Sequence, residues 1–322
     1  MKEIGGYFEL ELPYQNGDFI HSKCHLVNSG RHALEYILRS LGERVGKVWL
    51  PYYTCEVVLQ PIERLGIEYE FYHINEQFEI INLPSLKNRE FIIANNYFGI
   101  KDKYIKELYH SYGDRLIIDN AQAWYAPELP DVNSFYSPRK FVGIPDGGVA
   151  CVCKDIFLNL NLDKSYERFS HLIKRIDAGA TIGYDDFRIN SSILNDEPLK
   201  SMSLLTKRIL SSIDFESAKY IRRSNYEYLA QNLDCTNLLN LPDQSSFACP
   251  MVYPYYSEDI TLRQRLINHK IFVATYWPNV LQKCKPETLE HKLAMNIIPI
   301  PIDQRYDQMD MDIILSVINS DI

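Results

Sequence analysis

An aspartate that ends an apolar run and a lysine on a proline-flanked turn are the two residues of this 322-residue chain best placed to do chemistry together. In Leu116–Trp124 (LIIDNAQAW) the run Leu116-Ile117-Ile118 reads as a buried strand that delivers Asp119 to its carboxyl end, where open α/β sheets bind ligands. In Ser134–Gly148 (SFYSPRKFVGIPDGG) Lys140 follows Pro138-Arg139 and precedes Asp146-Gly147-Gly148, which leads into an apolar strand at Val149–Cys153. A lysine amine forms Schiff bases, and a carboxylate at the same sheet edge can hold a pyridine nitrogen protonated. The pair therefore suits pyridoxal 5'-phosphate (PLP), with Asp119 and Lys140 as catalytic residues. The plainer alternative is a loop acid and a surface lysine.

The neighbours of both residues resemble the DegT/DnrJ/EryC1/StrS family of PLP-dependent sugar aminotransferases. Its acid segment reads D-x-A-Q-A, matched by Asp119-Asn120-Ala121-Gln122-Ala123; its lysine segment reads S-F-x-P-x-K followed by G-D-G-G, matched by Pro138-Arg139-Lys140 and Asp146-Gly147-Gly148. Asn28–Leu34 (NSGRHAL) resembles the family's S-G-T-x-A-L helix start, Leu50–Cys55 its next strand-to-helix junction, Tyr276-Trp277-Pro278 its H-Y-P, and Ile297–Ile302 its last strand. The resemblance runs in order along most of the chain.

That resemblance implies an α/β fold of the fold-type-I kind: a large domain built on a mainly parallel seven-stranded sheet flanked by helices, and a smaller α+β C-terminal domain. It implies a homodimer with sites at the interface. The implied reaction moves an amino group from an amino acid donor, glutamate, to a nucleotide-linked keto-sugar for polysaccharide biosynthesis, through a Lys140 aldimine. Asp119 would protonate the ring nitrogen and Gln122 would bind the phenolic oxygen. Ser29, Gly30 and Arg31 at a helix start would seat the phosphate on backbone amides and the helix dipole. Ser134 or Ser137 would add a hydroxyl, because the family's phosphate serine falls on Phe135 here.

Other positions depart from the pattern. Arg31 replaces a threonine, Trp124 a histidine, and Cys55 a ring-stacking aromatic, which leaves Tyr53 or another residue to cover the ring. Gly183–Arg188 brings Asp185 and Asp186 where an asparagine is expected, so Arg188 or Asn190 would have to take over a phosphate contact. These departures keep two alternatives open: a PLP-binding or cofactor-free scaffold, and another PLP reaction such as sugar dehydration. Retention of the lysine argues against dehydration.

The elements that must position these residues are legible as alternating β-rich and helical patterns. Ser29 caps a helix whose apolar face is Ala33, Leu34, Ile37, Leu38 and Leu41, and Gly42 stops it. Strands are expected at Lys47–Leu50, Tyr69–Ile74, Glu90–Ala94 and Arg115–Asp119, and a helix at Lys101–Tyr112. A polar, helix-leaning region from Asp155 to Leu233, broken at Ala178–Gly183, ends the large domain (1–233). In the small domain (234–322) strands are expected at Cys249–Tyr253 and Ile271–Ala274 and helices at Leu262–His269 and Met309–Ile318.

The net charge of −8 and the lack of a Lys/Arg-rich run exclude nucleic acid and anionic membranes as main partners. No run approaches the roughly 18 apolar residues of a membrane span, and Met1–Pro13 reads as no secretory signal, so the expected location is cytoplasmic. Seven scattered cysteines fit reduced thiols, with Cys151 and Cys153 a buried pair on one strand face. The eight histidines have no metal-ligand spacing, and no metal is expected.

Overall fold

Short apolar runs bounded by glycine, proline and asparagine give nine strands in the computed structural model, which describes residues 10–13, 19–82 and 84–320. Most of the segment read as no secretory signal, Met1–Pro13, lies outside them. The strands are β1 (His25–Val27), β2 (Lys47–Pro51), β3 (Glu68–Tyr72), β4 (Glu90–Asn95), β5 (Leu116–Asn120), β6 (Asn133–Tyr136), β7 (Gly148–Cys151), β8 (Val252–Tyr256) and β9 (Ile297–Pro301). The first seven form one sheet in the order β1-β7-β6-β5-β4-β2-β3. Pairing from β3 through β6 is parallel, and β7 alone runs against its neighbours. This is the expected mainly parallel seven-stranded sheet; β8 and β9 form a separate antiparallel pair.

Every residue of β4 and β5 is buried, as it must be in a parallel sheet covered on both faces. The covering helices of the first part are α1 (Gly30–Leu41), α2 (Leu59–Arg64), α3 (Asp102–Tyr112), α4 (Ser170–Ala178), α5 (Ala180–Asp196), α6 (Leu204–Leu210) and α7 (Phe215–Leu233). The second part adds α8 (Leu262–Asn268), α9 (Pro278–Lys283), α10 (Leu289–Asn296) and α11 (Gln308–Ile318). Helix α1 buries the predicted face, and Gly42 ends it at φ 54°, a conformation that favours glycine. The break expected at Ala178–Gly183 is the single residue Gly179, φ 84°, between α4 and α5.

The Asp146-Gly147-Gly148 segment ties the lysine turn to α1. Asp146 is fully buried; its carboxylate accepts from the Ser203 amide (2.9 Å), the Ser203 hydroxyl (2.7 Å) and the Thr206 hydroxyl, which anchors the start of α6. Gly148 lies so close to the Ser29 carbonyl that an added Cβ would sit 2.1 Å from its oxygen, so only glycine fits.

Two expectations are corrected. Ile271–Ala274 is not a strand: β8 pairs only with β9, and the Ala274 carbonyl accepts from the Arg263 side chain instead of a sheet neighbour. The cysteines are not all separate thiols. Cys24, just before β1, is disulfide-bonded to Cys151 of the paired strand β7, and Cys153 is exposed rather than buried.

We propose the end of α7 as the division between domains 1–233 and 234–322. One cluster of buried side chains runs across it, from Ile92 and Trp124 to Tyr253, Ile300 and Met311. Within it the buried Arg222 of α7 donates to Gln304 Oε1 (2.9 Å), the Met251 carbonyl (3.1 Å) and the Phe141 carbonyl (3.0 Å). A buried cation is tolerable only when its donors are satisfied in this way. Arg222→Met therefore leaves these acceptors short of partners and is expected to lower stability by about 3 kcal/mol in urea unfolding. An unchanged midpoint would show that these bonds contribute nothing net.

Candidate active site

Parallel strands deliver the residues that follow them to one edge of the sheet. After β2 come Thr54 and Cys55; at the end of β4, Asn95 and Asn96; at the end of β5, Asp119, Ala121 and Gln122; after β6, Ser137, Arg139 and Lys140. With Ser29, Gly30 and Arg31 at the start of α1, they line a cavity of about 240 Å³. Phe187 and Ser191 of α5 and Trp277 from the C-terminal part also line it.

Asp119 is buried, and its carboxylate accepts from the Ala121 amide at 2.8 Å. Burial raises its pKa, while the Lys140 charge and the Ala121 bond oppose that rise. Lys140 is exposed and makes no ion pair among the described residues, so its amine stays available beside the acid. Gln122 is oriented by the Phe98 amide, which donates to its Oε1 at 2.9 Å, and its buried Nε2 has no partner among the described residues. Gly99 makes this approach possible: at φ 71°, an added Cβ would lie 2.9 Å from the Gln122 carbonyl oxygen. Asn95 donates to the Thr54 hydroxyl at 3.0 Å, and its own Oδ1 has no partner among the described residues.

At the start of α1, a Cβ on Gly30 would lie 3.2 Å from the Ser137 Cβ, so glycine lets the lysine turn press against the helix N-terminus. Of the two candidate serines, Ser137 lines the cavity. Ser134 does not: it lies inside the sheet, paired with Ile118 and Cys151. Tyr53 is fully buried against Trp277, with ring centroids 5.1 Å apart, and it is Trp277 that reaches the cavity. Asp185 and Arg188 are exposed, Asp186 pairs with Lys174 (2.6 Å), and Asn190 donates to the Pro145 carbonyl (2.7 Å). None of these four lines the cavity.

The sequence reading missed Arg139, Asn95, Phe187 and Ser191. Asn95 carried the same signal as Asp119, a polar residue ending the apolar run Phe91–Ala94. Phe187 and Ser191 reach the cavity only because α5 folds back over it.

A larger hollow, about 650 Å³, lies where β2, β3 and β4 begin; two of its cations are paired, Lys47 with Glu70 (2.6 Å) and Arg39 with Glu35 (2.8 Å). His21, Glu128 and Cys151 bring ligand atoms within 4.8 Å of one another. Both His21 ring nitrogens are engaged there, by Glu128 (2.7 Å) and the Trp124 carbonyl (2.9 Å), and the Cys151 sulfur is in the disulfide.

The donor set of the 240 Å³ cavity fits PLP group by group. The buried Asp119 matches a protonated pyridine nitrogen and the unpaired Lys140 amine an aldehyde. The free N–H bonds of Gln122 match a phenolic oxygen, and the α1 start with Ser137 matches a phosphate.

No known family model matches the sequence, and no curated protein matches it. Solved structures do share its fold. One is the putative sugar aminotransferase Spr1654 from Streptococcus pneumoniae, 13% identical with a TM-score of 0.66 over 93% of this chain and 87% of that one. Another is S. venezuelae DesV in complex with a ketimine intermediate, 16% identical with a TM-score of 0.64 over 92% and 84%. A third is a DegT DnrJ EryC1 StrS aminotransferase from Brucella abortus, 15% identical with a TM-score of 0.61 over 92% and 85%. Spr1654 is also known in a PMP form. The chain therefore has the fold of these aminotransferases.

The cap of α1 makes stability depend on pH. His32 is fully buried; Nε2 faces the Glu197 carbonyl at 2.8 Å and so carries the hydrogen, which leaves Nδ1 to accept from the Ser29 hydroxyl at 2.8 Å. Ser29 Oγ in turn accepts from the His32 amide, so its hydroxyl is spent on the helix rather than on a ligand. Burial lowers the His32 pKa from 6.5 to about 4. Because the unfolded state takes up the proton first, His32 contributes stability that is complete above about pH 6.5 and is lost as pH falls toward 4. The loss amounts to about 3 kcal/mol. Urea unfolding between these limits is expected to show a steeper fall for the native chain than for His32→Gln; equal slopes would remove His32 as the cause.

Proposed function

We propose that the chain is a PLP-dependent aminotransferase that moves an amino group from an amino acid donor, glutamate, to a nucleotide-linked keto-sugar. The observation that carries this reading is the buried Asp119 lining one cavity with Lys140, whose charge acts on it and which has no ion pair among the described residues. The shared fold with structures known in PMP and ketimine forms supports it.

When bound, PLP supplies an aldehyde and an electron-withdrawing ring that acidifies the C–H bond beside a substrate amine. The chain's own residues do the rest. Asp119 holds a proton at the pyridine nitrogen, with the Ala121 amide fixing the carboxylate. Gln122 Nε2 donates to the phenolic oxygen, oriented by its bond from Phe98. Lys140 Nζ would carry a proton from the amine-bearing carbon of the donor to the carbon across the nitrogen, the 1,3-shift that amino transfer needs. The buried Trp277 closes one side of the cavity to water, while the exposed Lys140 marks the side open to substrates.

The reading includes a homodimer. Its support is the apolar surface of α4 and α5, where Ile176 is 84% and Ile182 60% exposed on the same helix pair that brings Phe187 and Ser191 to the cavity. No described helix is long and apolar enough to cross a membrane, and the proposed location is the cytoplasm.

Protein incubated with PLP should acquire a visible absorbance band that changes on adding glutamate, and Lys140→Ala should show no such band. Asp119→Asn should bind PLP yet lose the glutamate response by at least about 100-fold in rate. A band that survives in Lys140→Ala would overturn the assignment of the lysine. Light scattering after chromatography should report a dimer that Ile176→Asp with Ile182→Asp converts to monomer; a native monomer would refute the dimer.

A further inference from the structure

The catalytic assignments above leave two cations of the cavity unused, and both lie at its α1 end. Arg139, the residue before Lys140, lines the cavity and is largely buried, yet among the described residues its one hydrogen bond is a long one to the Ser191 hydroxyl, 3.4 Å. Burial, and then the nearby Arg31 charge, push its pKa down to about 10. Asp146, the acid whose charge favours it, is already taken by Ser203 and Thr206. Arg31, on the first turn of α1, donates from Nη1 to Gln60 Oε1 (2.6 Å) and to Asn195 Oδ1, both uncharged, and it too has no ion pair among the described residues.

Two guanidinium groups that have lost water, repel each other and lack a carboxylate partner form an unfavourable arrangement unless an anion joins them. The geometry favours a doubly charged anion. The α1 N-terminus adds its dipole, Gly30 lets the Ser137 side chain approach that end, and planar guanidinium forks match phosphate oxygens.

We propose that Arg139, together with Arg31, grips the dianionic phosphate monoester of the cofactor at the α1 N-terminus, and so selects phosphorylated over unphosphorylated ligands. This rests on the cofactor reading of the cavity.

The test is calorimetric titration of the PLP-free protein with inorganic phosphate at constant ionic strength, beside equilibrium binding of PLP and of pyridoxal. The native chain is expected to bind phosphate saturably, and Arg139→Gln about tenfold or more weakly, with Arg139→Lys between them because it keeps the charge and loses the fork. The preference for PLP over pyridoxal should fall by a similar factor in Arg139→Gln. Unliganded Arg139→Gln should melt no lower than the native chain, since a repulsive buried charge is removed. Prior loading with PLP should abolish phosphate binding. Phosphate binding that is unchanged in Arg139→Gln, or that persists after PLP loading, would overturn the proposal. Arg139-dependent phosphate binding without the visible PLP band would leave this proposal standing and refute the aminotransferase reading, so the two can fail separately.

Discussion

A carboxylate buried at the end of a central strand has to be compensated, and the compensation of Asp119 organises the whole sheet edge. Removing an ionised acid from water costs several kcal/mol unless charge and hydrogen bonds replace the lost solvent. The Ala121 amide and the Lys140 charge offset part of that cost here. The Asp119 carbonyl also accepts from the Asn96 amide at 2.9 Å, and the Asn96 side chain bridges Asp102 of α3 (2.6 Å) and Asn120 (3.1 Å). The loops after β4 and β5 are thus locked to the acid, and Gln122 inherits its position from them.

The lysine turn is held by a different device. Its far end is fixed by Asp146, bound to the start of α6, and by Gly148, pressed on the Ser29 carbonyl. Its near end is fixed by the contact of Ser137 with Gly30. The start of α1 and the lysine turn are therefore held together, because β7, the one reversed strand, returns the chain to the foot of α1. Catalytic positioning here needs rigid supports more than extra contacts.

These two devices explain what the sequence could and could not reveal. Asp119, Lys140, Gly30 and Gln122 were legible because each sits at a fixed offset from a local signal: an apolar run, a proline turn or a helix cap. Arg139 was visible beside Lys140, but its burial depends on α5, which folds back from far along the chain. Ser134 and Ser137 could not be separated by spacing, since only the pairing of β6 shows which of them lies inside the sheet. Ile271–Ala274 has the right composition for a strand and no edge to pair with. Cys24 and Cys151, 127 residues apart, meet only through the β1–β7 pairing.

The same distinction accounts for a shared fold at 13–16% identity. Parallel strands ask only for buried apolar residues, which many sequences supply, so the backbone persists while residue-by-residue likeness fades. Fold alone would then be compatible with a cofactor-free scaffold. The charges of the cavity argue against that reading. A scaffold released from chemistry gains stability when buried unpaired cations become apolar. Here Arg31 and Arg139, both largely withdrawn from water, line one cavity and make no ion pair among the described residues. An anion at the helix start, beside an acid held at the strand end, would make such an arrangement stable, which is what the proposed cofactor supplies and a cofactor-free scaffold does not.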